Sequence, residues 1–167
     1  MFEKKRLQNL VLDRDKMEDL IRENYMCIYK YCFYHLGDRD TAQDITQEVF
    51  LKFIKEIGRY REYGKLKNYL YVIARNSIRD YGRRKKPLQM ASMPEVCDDG
   101  GIGQKLLQMN IREALDSLEE LDKELIILRY YQELRIKDIS RILHLPASTV
   151  RYRLKNAEKA MKKRLEL

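Results

Sequence analysis

The stretch IKDISRIL (136–143), HLP (144–146) and ASTVRYRLKNAEKAMKKRL (147–165) decides how the C-terminal part of this chain folds. Ile139 and Leu143, one turn apart, give the first segment an inward edge two turns long. His144, Leu145 and Pro146 allow only a tight connection, and Ser148-Thr149 opens a second helix that runs to about Leu165. This is helix-turn-helix spacing, and it requires His144 to accept a left-handed or bridge conformation, uncommon outside Gly and Asn. Along the second helix Val150, Leu154 and Ala157 point to a core, while Arg151, Tyr152, Lys155 and Asn156 share the opposite arc. A helix of this diameter fits the major groove of duplex DNA, with its early residues at base edges and later cations at phosphates.

Working outward, Leu106, Leu107, Ile111, Ala114, Leu115 and Leu118 fit a short helix. The acidic turn of Glu119, Glu120, Asp122 and Glu124 starts another, as the helix dipole favours, with Leu121, Leu125, Ile126, Leu128 and Tyr131 as its buried side. Residues 105–167 therefore read as one small helical domain. Residues 87–104 hold two Pro, three Gly and no basic residue, and they lose helical period; they read as a flexible acidic linker.

Residues 1–86 read as a separate three-helix domain. From Asp15 to Leu36, apolar and aromatic residues recur at Leu20, Ile21, Met26, Ile28, Cys32, Phe33 and Leu36, with Gly37 as a C-terminal cap. Asp40-Thr41-Ala42-Gln43 resembles a capping box, followed by Ile45, Val49, Phe50, Phe53, Ile54 and Ile57, and closed by Gly58. A third stripe, Leu66, Leu70, Ile73, Ala74, Ile78 and Tyr81, is backed by Lys67, Arg75, Arg79 and Arg83 and ends in the run Arg83 to Lys86. With 7 Gly and 3 Pro in 167 residues, a turn-rich β architecture is disfavoured, and the fold class is all-α.

Charge is unevenly spread beneath the total of +8. Residues 59–86 carry 10 basic and 2 acidic groups, residues 135–167 carry 10 and 3, and residues 87–134 between them carry 4 and 10. Two basic blocks can neutralise phosphates at two places, so a polyanion contacted twice along its length is the natural partner. Tyr60, Tyr63, Tyr69, Tyr71 and Tyr81 interleave with the first block, and ring faces beside cations suit unpaired bases, while several of them, Tyr69 and Tyr81 above all, equally suit a core with the polar tip at the surface. The three cysteines form no C-x-x-C pair, which suits a reducing compartment. No apolar run is long enough to span a bilayer and no secretory leader opens the chain, so stable membrane insertion is not expected and the cytoplasm is.

These residues carry a resemblance. Gly37-Asp38 through Asp44-Ile45-Thr46-Gln47-Glu48-Val49-Phe50-Leu51-Lys52, then Tyr69 to Asn76 and Asp80 to Arg84, resemble the second region of bacterial sigma factors. Ala114 to Leu118, Leu128-Arg129 and Leu145 to Leu154 resemble the fourth. With no third region between them, the chain is similar to the compact extracytoplasmic-function (ECF) class over roughly residues 20–86 and 105–165.

The resemblance implies a dissociable initiation subunit that joins core RNA polymerase through its β′ and β subunits, recognises minus-35 and minus-10 promoter elements and promotes DNA melting. It places docking on the β′ coiled coil at Asp44, Gln47, Glu48 and Phe50; residues 44, 47, 48 and 51 share one face in any case, with carboxylates a basic partner could pair with. It places capture of the minus-10 strand at Tyr69, Arg75, Asn76, Asp80, Arg83 and Arg84, and minus-35 reading at Thr149, Arg151, Tyr152, Lys155 and Asn156. An anti-sigma partner is also an expectation. The chain departs from the family pattern at Glu119 (usually Pro), Tyr69 (Trp), Ser140 (Ala), His144 (Gly), Ser148 (Gly) and Tyr152 (Ser).

Catalysis is not expected. His35 and His144 are the only histidines, neither has a neighbouring ligand or nucleophile partner, and no phosphate-cradling glycine loop is present, so no cofactor or metal is implied. The competing class is a polymerase-independent helix-turn-helix repressor, which would bind duplex alone as a dimer.

Overall fold

The computed structural model describes residues 14–57, 65–84 and 110–165, and every regular element among them is helical. The chain divides into two units, Met1–Pro94 and Glu95–Leu167. The expected linker, Gly58, Tyr60, Tyr63 and the first part of the 105–118 helix lie outside the described residues.

The first unit packs three helices pairwise: α1 (Arg14–Leu36), α2 (Arg39–Glu56) and α3 (Leu66–Arg84). Its centre is aromatic. Tyr31 and Tyr71 are fully buried and meet edge to face at 5.3 Å, with Ile28, Cys32, Val49, Phe53 and Leu70 around them. Such an aromatic pair adds about 0.5–1.5 kcal/mol to its area burial. Burial pushes the Cys32 thiol up to about 11 and drives the Tyr71 hydroxyl upward as well, with Cys27 adding to the latter. Met26, expected inside, is 57% exposed, because the face defined by Ile28, Tyr31 and Cys32 turns it outward.

The α1–α2 corner is two residues long, Gly37 and Asp38. Gly37 takes φ 73°, a left-handed value that costs Gly nothing, and its N–H reaches the Phe33 carbonyl at 2.9 Å. The chain reverses so quickly that α2 starts two residues before the expected position: Asp38, not Asp40, is the N-cap, extended at φ −118° and accepting from the Thr41 N–H at 2.8 Å. Such a cap is worth about 1 kcal/mol.

In the second unit a helix over 110–116 precedes α5 (Glu120–Ile126), α6 (Ile136–Leu143) and α7 (Ala147–Arg164); we label the 110–116 helix α4. The core is aliphatic: Leu125, Ile127, Leu128, Ile139, Ile142 and Val150 are all fully buried. The acidic first turn of α5 forms as expected, but α5 runs on as a π-helical turn over Ile127–Tyr131, closed by Gln132 N–H to the Ile127 carbonyl at 3.0 Å. The wider turn brings Ile126, Ile127 and Leu128 inward in succession and leaves Leu121 and Tyr131 half-buried. Arg129 Nη1 donates to the Leu134 carbonyl at 3.0 Å and ties down the exit.

The helix-turn-helix follows the expected bounds closely. His144 is left-handed, φ 55° and ψ 39°. Its N–H and that of Leu145 both reach the Ser140 carbonyl, and the Ser140 hydroxyl donates to the Leu145 carbonyl. The departure from Ala at position 140 thus supplies a side-chain bond across the turn. Pro146, not Ser148 or Thr149, occupies the N-cap position of α7, its carbonyl accepting from the Val150 N–H at 3.0 Å. Proline's restricted φ fits that entry, and the two hydroxyl residues fall inside the first turn.

Candidate docking and DNA-binding faces

The outer face of α2 is built by the period of its core. Ala42, Ile45, Thr46, Val49, Phe50 and Phe53 turn inward, so Asp44 and Gln47 are exposed and Glu48 is partly so. Phe50 is not on this face: it is 4% exposed, and its ring stacks on Tyr25 at 5.9 Å. Position 50 lies about 160° from position 48 around the helix barrel, toward α1. Leu51 and Ile54, by contrast, are 57% and 42% exposed. Ile54 was expected in the core, and its exposure places two aliphatic groups beside the carboxylates. Glu48 pairs with Lys52 at 2.6 Å, and Lys52 also donates to Ser77 Oγ of α3 at 3.0 Å, so this carboxylate is already partly satisfied.

The α3 face changes along its length. Its first half is enclosed, with Asn68 to Ala74 all buried, whereas Asn76, Arg79, Arg83 and Arg84 are exposed and Arg75 and Asp80 half-buried. Tyr69 belongs to the enclosed half. It is 7% exposed, its ring tilts against Phe53 at 6.1 Å, and its hydroxyl donates to Glu56 Oε2 at 3.4 Å. Tyr71 is fully buried, and Lys67 lies over its ring at 6.0 Å. Neither ring presents a face to solvent; the accessible cations and Asn76 belong to the last turns. Gly82 sits within the helix rather than ending it, with open space where a Cβ would be.

In α7 the division is sharper. Val150, Leu154 and Ala157 are buried, while Arg151, Lys155 and Asn156 are exposed and Tyr152 is 68% exposed; Thr149 is half-buried at the edge. Lys159, Lys162, Lys163 and Arg164 continue the exposed cationic surface. Arg153 is different. Its Nε donates to Asp122 Oδ1 at 2.6 Å and its Nη2 to Glu119 Oε2 at 2.7 Å, joining α7 to the start of α5. Sequence periodicity identified neither partner, because the link spans more than 30 residues and joins a basic helix to an acidic turn read only as dipole compensation.

Comparison with known proteins places this arrangement. The family model described as Sigma-70 region 2 matches residues 20–87, and that described as Sigma-70, region 4 matches residues 108–161. The chain belongs to the sigma-70 family of RNA polymerase sigma factors, in the ECF class. Among similar proteins, the ECF sigma factor SigW of Bacillus subtilis is 29% identical, covering 99% of this chain and 97% of SigW. The sigma factor YlaC of the same organism is 27% identical over 91% of this chain and 93% of its own. CnrH, solved in complex with the cytosolic domain of CnrY, shares the fold at a TM-score of 0.76 and 13% identity, covering 98% and 96% of the two chains. The Bartonella quintana sigma factor RpoE, solved with the anti-sigma factor NepR, does so at 0.70 and 18%, covering 90% and 96%. This sigma factor is thus a DNA-binding transcription protein, and no helix among its described residues is long and apolar enough to cross a membrane.

Proposed function

We propose that this sigma factor docks on core RNA polymerase through the outer face of α2, captures the minus-10 strand with the last turns of α3, reads the minus-35 duplex with α7, and so promotes promoter melting in the cytoplasm. The observation that carries the reading is the α7 surface: Arg151, Tyr152, Lys155 and Asn156 stand exposed on one arc, directly behind a turn whose αL residue and Ser140 bonds fix how the helix emerges. A helix presented this way offers side chains to base edges and a tail of cations to phosphates.

On α2, Asp44, Gln47 and Glu48 supply charge and hydrogen bonding to a basic β′ coiled coil, while Leu51 and Ile54 supply the apolar contact. Phe50 acts beneath this face, as its support. On α3, Arg75, Asn76, Asp80, Arg83 and Arg84 form the strand-binding group, and Tyr69 backs it from the core. A contact with the β subunit and restraint by an anti-sigma protein complete the proposed partners.

The direct test is the double variant Asp44→Lys/Glu48→Lys, which reverses two charges at exposed or partly exposed positions. It should retain its helicity and lose co-elution with core polymerase, while normal co-elution would remove α2 as the docking face. A polymerase-independent repressor would instead form a dimer and bind promoter duplex tightly with no polymerase present.

A further inference from the structure

The recognition helix is held from both flanks. At 100° per residue, Arg153 projects about 60° to one side of the buried Val150 and Glu158 about 80° to the other. On the first flank the Arg153 guanidinium bonds Asp122 and Glu119, and on the second the Tyr130 hydroxyl, at the end of the π turn, donates to Glu158 Oε1 at 2.6 Å. We infer that these two ties set the roll of α7 about its own axis and thereby the base preference of its exposed arc, so that Arg153 is a positioning residue and not a phosphate contact. The inference rests on the reading of α7 as a duplex reader.

The core seam alone leaves this roll weakly defined. Val150, Leu154 and Ala157 are small or medium aliphatic groups with no directional contacts. A roll of ~20° moves a group at the helix surface by ~2 Å, given a helix diameter near 10–12 Å with side chains, and a displacement of that size breaks a hydrogen bond to a base edge. A planar guanidinium engaged through two nitrogens resists such a roll, because both charge-assisted bonds have strict geometry. The Tyr130–Glu158 tie is the weaker one, since Tyr130 is 55% exposed. Two carboxylates also neutralise Arg153, leaving it little charge to offer a phosphate.

The test uses the full chain with core polymerase and a pool of promoter duplexes randomised over the upstream element, bound at several salt concentrations and sequenced. Arg153→Gln should flatten the preference between best and next-best base ~10-fold, the scale of one base contact, with overall affinity and salt slope kept, and the isosteric pair Glu119→Gln/Asp122→Asn should flatten that preference to the same extent. Combining all three changes should add nothing to Arg153→Gln alone, because they remove one interaction. Arg153→Lys, which keeps the charge but not the fork, should restore preference only in part. Should Arg153→Gln fail to fold by circular dichroism, the isosteric pair carries the test. A uniform loss across sequences, with the salt slope falling by about one, would make Arg153 a phosphate contact and overturn the inference; so would an unchanged preference profile. No upstream preference in the unaltered protein would instead overturn the duplex-reading function itself.

Discussion

The two units of this sigma factor solve the problem of presenting a helix face in different ways. In the first, long helices pack around aromatic rings, with Tyr31, Tyr71, Phe50 and Phe53 buried and Tyr25 stacked against the core edge. The ion pairs Asp19–Arg22 and Glu48–Lys52 each lie along one helix. In the second, short helices pack around branched aliphatics, and Arg153 reaches from one helix to the start of another while Lys123 reaches back to Asp116. Interlocking rings orient the helices of the first unit mainly by shape, with single bonds such as Lys52 to Ser77 beside them; the second adds a two-pronged, charge-assisted clasp at the rim to what its smoother core provides.

This contrast can be broken at its strongest point. Replacing Tyr71 with Ala removes a fully buried ring from the edge-to-face pair and should cost about 3–5 kcal/mol in denaturant unfolding of the first unit, whereas Tyr71→Phe should cost far less. A small effect from the alanine change would deny the aromatic centre its organising role. Next in size, Arg151→Ala should lose about 1–3 kcal/mol of discrimination among minus-35 variants if the side chain reads a base edge, and an unchanged preference would reassign it.

Much of the second unit was legible because its constraints are local. Two short apolar segments with three residues between them demand a tight turn, and a tight turn demands an unusual backbone at His144, which is what φ 55° reports. The first unit was less legible where tyrosine is concerned. A tyrosine satisfies a core and a wet surface equally well, so the pattern leaves Tyr69 open between core and base contact and places Tyr71 among the base platforms, whereas both pack inside. Phe50 was assigned to the docking face by family pattern, while its place on the helix barrel sends it toward Tyr25. Ile54 failed the other way, since apolar character alone placed it in the core. Asp38 was displaced as cap by Asp40 because nothing in the sequence states how few residues a corner needs. The Arg153 clasp was invisible because contacts across 31 and 34 residues leave no periodic trace.

Smaller changes sharpen the rim-bond side of the comparison. His144→Gly relieves a left-handed non-glycine residue and should stabilise the second unit by up to about 1 kcal/mol, measured by the denaturation midpoint; a loss would show that the imidazole contributes contacts worth more than the strain. Smallest of all is the Asp116 effect. Burial opposes its ionisation, but hydrogen bonds and charge from Lys123 and Arg112 outweigh burial and hold the carboxyl below its ordinary 3.8. A folded-state pKa below the unfolded one gives stability that is present above the unfolded value and lost as pH falls through the folded value. Asp116→Asn should therefore destabilise the protein by less than about 1 kcal/mol near neutrality, given the partial exposure of the pair, with the difference from wild type vanishing under strong acid. A constant difference at every pH would assign the effect to packing.

The measurement closest to the central claim is permanganate reactivity of thymines around a promoter start site, with core polymerase alone, with this protein alone, and with both. The account predicts reactive, unpaired thymines only when both are present, and their loss with Asp44→Lys/Glu48→Lys. Thymines that stay protected in the combined sample, on promoters from which its own cell transcribes, would contradict it.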